Sequence, residues 1–177
     1  MENTLLITLD DVLHYTTVSG NLDENNIQPH IFNAQILYIE PILGSDLYNK
    51  VCSYITSGIT IAEPYNTLLS TYITPSLVFH TMELFIPINA FKIADGGVFQ
   101  FTPSNAQYSP LNEIEKLCSK YRIIANKYDD KLSDYLCKNA NDYPEYINNT
   151  GLVGKTETTI HSGWYLGKRN ITSKIRI

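Results

Sequence analysis

The stretch Asn26-Ile-Gln-Pro-His-Ile-Phe-Asn-Ala-Gln-Ile-Leu-Tyr-Ile-Glu-Pro-Ile-Leu-Gly-Ser-Asp-Leu-Tyr-Asn-Lys50 decides the fold. Apolar residues recur at Ile27, Ile31, Ala34 and Tyr38, then at Ile42, Leu43, Leu47 and Val51. That spacing puts one apolar stripe on each of two helices. Pro29 is expected in the first turn of the first helix. Pro41 is expected to open the second, where a missing N–H does no harm. Gly44, one turn into the second helix, reads as a point of close helix–helix approach.

Further helices flank this pair. Thr8, followed by Asp10 and Asp11, reads as the cap and acidic first turn of a short helix running to about Thr16. Asp23, Glu24 or Asn25 caps the next helix, and Ser57-Gly58 stops its partner. Ala62-Glu63-Pro64 starts a short helix reaching about Thr71. Thr74-Pro75 reads as a cap with proline at the first helical position. Pro75–Phe91 is apolar nearly all round, which predicts the central helix of a bundle, with a kink or break at Pro87. Asp95-Gly96-Gly97 is a turn, Val98–Phe101 alternates like a short strand or extended arm, and Thr102–Ser109 is loop. Pro110–Asn139 carries the strongest helical period, through Leu111, Ile114, Leu117, Tyr121, Ile124, Tyr128, Leu132 and Tyr135 or Leu136. At about 1.5 Å per residue this helix is about 45 Å long, so one end is expected to project or to pack on a neighbour.

The predicted fold class is therefore mainly α. Residues 1–147 form a small helical bundle with one long C-terminal helix and a short extended β arm. Residues 148–177 form an extended basic C-terminal tail that serves as a docking arm.

A chain of 177 residues with 44% apolar content fits a single domain with its own core. Its net charge of −5 is unevenly spread. Met1–Thr150 holds 8 Lys+Arg and 17 Asp+Glu, whereas Gly151–Ile177 holds 5 basic residues against Glu157 alone. An acidic body argues against a protein whose main task is gripping nucleic acid by its phosphates. The 13 tyrosines suit surfaces that become interfaces, or reflect the codon bias of an A/T-rich genome; both readings stand. Cys52, Cys118 and Cys137 lack metal-ligand spacing and read as thiols in a reducing compartment. No basic region opens the chain as in a signal peptide. Leu77–Ala94 is interrupted by His80, Glu83, Pro87, Asn89 and Lys92, which makes it a buried helix and not a membrane span.

Residues of catalytic character are sparse. His80 and Glu83 share one helix face, and a hydrogen-bonded pair inside the bundle is the preferred reading over a metal site. The pairs Asp10-Asp11 and Asp129-Asp130 read as solvated faces, because adjacent helical residues point apart. No nucleophile elbow and no phosphate-cradling loop is present. The expectation is a protein that is not an enzyme and needs no cofactor or metal. The basic tail has too few apolar residues for a core of its own, so it must dock on something or stay disordered. Its candidate partner-binding residues are Lys155, Trp164, Tyr165, Lys168, Arg169, Lys174 and Arg176, with Trp164 as the anchor that fills a pocket on a partner.

Several of these marks occur together in one known family. The set Ile27-x-Pro29, Ala34-Gln35, Pro41-Ile-Leu-Gly44, Leu47-Tyr48, Gly97-Val98-Phe99-Gln100, Tyr121-Arg122 and Tyr143-Pro144-Glu145-Tyr146 resembles head–tail connector (adaptor) proteins of tailed bacteriophages. The match is closest to those of phages of Bacteroides-type hosts, including the crAss-like group, and covers about Ile7 to Tyr146. The resemblance implies a virion structural protein, made in the host cytoplasm, that forms a ring homo-oligomer, a dodecamer in the usual case. Such a ring docks beneath the portal protein, lengthens the channel for genomic DNA without sequence-specific binding, and offers a surface to other neck and tail proteins. It implies no membrane contact, and the basic tail would resemble an arm reaching the portal or a neighbouring subunit. A stopper ring of the same neck and a nucleic-acid-binding module using the basic tail are the alternatives.

Overall fold

The computed structural model describes residues 4–18, 22–89, 91–94, 97–100 and 111–148. They are mainly helical: α1 (Leu9–Tyr15), α2 (Glu24–Ala34), α3 (Glu40–Leu43), α4 (Ser45–Ser57), α5 (Tyr65–Thr67), α6 (Thr74–Asn89), α7 (Leu111–Lys138) and α8 (Pro144–Asn148). A hairpin of β1 (Phe91–Ala94) and β2 (Gly97–Gln100) separates α6 from α7, in antiparallel register from Phe91↔Gln100 to Ala94↔Gly97.

The predicted helix starts hold at α1 and α2. Thr8 and Asp11 form a reciprocal capping box, with the Thr8 N–H donating to Asp11 Oδ2 at 2.7 Å. Asp23 caps α2 by accepting from the Asn25 N–H at 3.0 Å. Pro29, expected in the first turn, lies deeper inside α2.

Two other predicted starts are corrected. Pro41 does not open a new helix, because α2 runs into α3 through a π-helical segment, Gln35–Ile39. Thr74-Pro75 is not a cap and first turn either, because α5 runs into α6 through a second π segment, Leu68–Ile73. The two sites share one construction. The Glu40 N–H reaches back to the Gln35 carbonyl, the Thr74 N–H to the Leu69 carbonyl, and a proline follows at once. A wider turn spares the carbonyl four residues before each proline from the ring. Thr74 Oγ1 adds a second donor to the Leu69 carbonyl at 2.9 Å.

The break in the opening segment falls at Gly44. It lies between α3 and α4 with φ 75° and ψ 153°, a region nearly confined to glycine. Backbone conformation therefore explains this glycine, in place of the expected close approach within a helix. Pro87 produces no early break, since α6 continues to Asn89; Phe91, expected as its last residue, begins β1.

α6 is the central helix, as expected: it buries Leu77, Val78, Met82 and Phe85 and packs against α7, α2 and α1. Burying apolar side chains at about 25 cal/mol per Å² supplies the main driving force for this arrangement. Gln35 is fully buried within it and fully used. Its Oε1 accepts from the Leu6 N–H at 2.7 Å, while Nε2 donates to the Thr4 carbonyl and Tyr48 Oη at 3.0 Å each. Burial first, opposed by the Gln35 hydrogen bond, pushes the Tyr48 phenol up to about 12.

Several tyrosines serve the interior. Tyr143 is fully buried and donates to the Pro64 carbonyl at 3.0 Å, and Tyr65 donates to Glu145 Oε2 at 2.7 Å. Tyr72 stacks on Tyr135 with ring centroids 4.0 Å apart. These contacts fold the chain after α7 back, so that α8 rests on α4.

His30 on α2 meets Phe85 edge-on at 5.6 Å, and its buried Nδ1 has no hydrogen-bond partner. Burial pushes this imidazole below its ordinary value of 6.5. The unfolded chain then binds more protons than the folded one near that pH, so stability is fully present above about 6.5 and is lost as pH falls from there toward the folded value. The urea midpoint should fall between about pH 7.5 and about pH 5.5, and fall less in His30→Gln. Equal pH dependence in both proteins would contradict the assignment.

Candidate functional site

α6 presents Ser76, His80 and Glu83 on one face, because they are spaced by four and three residues. α7 presents Arg122 and Asp129, seven residues apart and so again on one face. The first π segment contributes Tyr38. These six residues form a polar network in the seam between the two longest helices.

His80, with 1% of its surface exposed, holds the centre. Its Nε2 lies 2.8 Å from Asp129 Oδ2, and its Nδ1 lies 3.4 Å from Glu83 Oε2. Ser76 Oγ donates to the other oxygen of Asp129. Arg122 Nε donates to Glu83 Oε1 at 2.6 Å. The Tyr38 ring stacks flat on the imidazole, with centroids 3.8 Å apart and planes 5° from parallel. Burial, then the nearby Glu83 carboxylate, raises the Tyr38 phenol, while that same carboxylate's hydrogen bond holds the Arg122 guanidinium above its ordinary value. At 3.4 Å the Glu83 contact is electrostatic, and neither His80 Nδ1 nor Glu83 Oε2 has a hydrogen-bond partner.

The order of these groups determines what they can do. Acyl-transfer relays place imidazole between a hydroxyl and a carboxylate, so that the ring can take the hydroxyl proton. Here the Asp129 carboxylate sits between Ser76 and His80 and accepts from both. Ser76 has no imidazole base, and the network reads as an ionic lock joining α6 to α7. Among the described residues, no group of three or more His, Cys, Asp or Glu is placed to hold a metal ion.

The sequence placed His80 beside Glu83, although the expected hydrogen bond between them is absent, and it missed the other three charged or hydroxyl partners. Asp129, expected on a solvated face, turns into the seam, with 20% of its side chain exposed. Its neighbour Asp130 does stay in solvent beside Lys127, at 3.3 Å. The available signal was the seven-residue spacing of Arg122 and Asp129 combined with the spacing of Ser76, His80 and Glu83.

The long helix also carries its apolar residues differently from expectation. Cys118, Ala125, Leu132 and Leu136 are its buried positions, flanked by the half-buried Tyr121 and Tyr128. Leu117 and Ile124, expected in the core, are 44% and 40% exposed, and Ile123 is 62% exposed. The true inward face is rotated by about one residue, because the seam is centred on Ala125 and Asp129. Leu117, Ile124 and Tyr121 instead line a groove of about 260 Å³ with Phe79 and Tyr15. On the other flank, Tyr38, Glu83, Arg122, Ile88 and Ile114 border a cleft of about 550 Å³. Lys155, Trp164, Tyr165, Lys168, Arg169, Lys174 and Arg176 lie outside the described residues.

The lock gives two neighbouring aspartates opposite consequences. Asp129→Ala strands the buried donors of His80 and Ser76 and should cost about 2–4 kcal/mol in urea unfolding. Asp130→Ala removes only an exposed pair and should stay within about 0.5 kcal/mol of wild type. Equal effects at both positions would rule out the lock.

No curated protein and no solved structure matches this chain. A protein-family model described as a family of unknown function (DUF6712) matches residues 39–155, which include the whole α6–α7 seam. The match spans more than half of the sequence, and the chain belongs to that family.

Proposed function

We propose that this protein is a structural subunit of a ring in the head–tail connector of a tailed bacteriophage. The observation that carries the reading is the long helix α7. Its inner face is fastened to α6 by an ionic lock centred on the buried His80, while Leu117, Ile123 and Ile124 remain uncovered on its outside. A rigid helix with an uncovered apolar edge suits a subunit whose surface is completed by a neighbour. The similarity of the body to connector adaptors supplies the biological setting: a ring of about twelve copies beneath the portal, resting against other neck proteins, with genomic DNA passing through. The subunit acts by shape and contact and carries out no catalysis. It resides in the virion neck after assembly in the host cytoplasm, and no described helix is long and apolar enough to cross a membrane. A stopper ring is the neighbouring reading within this class. A nucleic-acid-binding module is less favoured, because the body carries 17 Asp+Glu against 8 Lys+Arg.

The test is cryo-electron microscopy of the full chain mixed with the portal protein encoded by the same phage genome. The expected result is a rotationally symmetric ring seated on the portal. A chain that stays monomeric with portal present would overturn the reading.

A further inference from the structure

The acidic body has one basic face. Of the 8 Lys+Arg in Met1–Thr150, six lie on α7, leaving only Lys50 and Lys92 elsewhere. Twelve of the 17 Asp+Glu in the same residues lie off α7. Within α7, Lys116, Lys120, Lys127, Lys131 and Lys138 are all exposed and follow one another at intervals of four, seven, four and seven residues. Such intervals are close to whole turns at about 3.6 residues per turn, so the five ammonium groups form a row roughly 33 Å long on the face away from the seam. Glu113, Asp130 and Asp134 share that face, and it stays net positive. Lys127 meets Asp130 at 3.3 Å and Lys131 lies over the Tyr128 ring at 5.0 Å. Ile123 stands within the row and Ile124 and Leu117 along its edge, next to the groove with Tyr15.

We propose that this outer face of α7 docks on the acidic surface of a second copy of the chain. The assignment rests on the assembly reading above and names the surface that serves it. Charge complementarity selects the partner: one copy offers a lysine row, and Met1–Thr150 outside α7 carries 12 Asp+Glu against Lys50 and Lys92. α6 packs on α7 through one part of its surface and on α2 through another. Asp10 on α1 and Glu24 at the start of α2 are exposed acids outside α7, so the acidic groups and the lysine row lie on different elements. A contact between two different patches is heterologous, the kind that closes into a ring by rotation. The isoleucines and the leucine favour protein over nucleic acid as the occupant, since phosphates make no use of exposed apolar side chains. Charges at such a contact set orientation and rate of approach, while the apolar edge supplies affinity.

The experiment is sedimentation velocity of the full chain over a range of concentrations, at about 50 mM and about 500 mM salt, where screening differs strongly. Three proteins are compared: wild type, K120E/K127E/K131E and D10K/E24K, with circular dichroism to confirm that each is folded. Wild type should self-associate, and more weakly at high salt. Each variant alone should associate about tenfold more weakly, and an equimolar mixture of the two should recover the wild-type strength. Unchanged association of the lysine variant would overturn this surface while leaving the assembly reading intact. A wild type that remains monomeric under every condition would overturn this surface, while the assembly reading would still stand or fall on the experiment with portal present. Binding of a random-sequence DNA duplex that is lost in the lysine variant, without any effect on self-association, would reassign the face to nucleic acid.

Discussion

The fit of α7 on α6 depends on how His80 is housed between them. A polar ring with almost no exposure must meet partners on both nitrogens, or its burial becomes a net cost. Asp129 meets Nε2 with a hydrogen bond, while Nδ1 has only the Glu83 carboxylate 3.4 Å away and no hydrogen bond; Ser76 in turn bonds Asp129, and Arg122 bonds Glu83. The result is a chain of dependence that allows a single register between the helices. A slide of one turn, about 5.4 Å, would separate every pair at once. Apolar packing alone tolerates such slips far better, because it is not directional.

The two π segments serve the same end. Each lets a helix run through a proline, and each lies beside the seam: Tyr38 from the first stacks on His80, and Tyr72 from the second stacks on Tyr135 of α7. Widening the helix by one residue changes which side chains face the core afterwards. Gln35 in the first segment is thereby held inward, where it ties Leu6 and Tyr48 together. The segment Asn26–Lys50 is therefore a shaping element, and the groups it places inward hold the fold together.

Much of this was legible in the sequence, and the rest was not for definite reasons. The helical class, the caps at Thr8 and Asp23, the central position of α6 and the placing of His80 beside Glu83 follow from periodicity and local hydrogen-bond chemistry. Pro41 and Pro75 misled because proline at a first turn and proline after a π turn look alike in one dimension; the difference lies in a carbonyl five residues back. Gly44 misled because tight packing and positive φ both call for glycine. Leu117 and Ile124 misled because a period of three or four fits two adjacent stripes on a long helix, and the choice between them was made by polar residues at Arg122 and Asp129. Tertiary partners decide such questions, and the partners of Asp129 are some fifty residues away in sequence.

α7 is fastened to α6 along its length and so holds its outer face as one rigid surface. Amide hydrogen exchange of the chain tests this most directly. Amides of α6 and of α7 from Tyr121 to Leu136 should exchange together, at the slowest rate in the protein, because they open only with the whole bundle. Exchange of α7 well ahead of α6 would show a helix that opens by itself and would contradict the account.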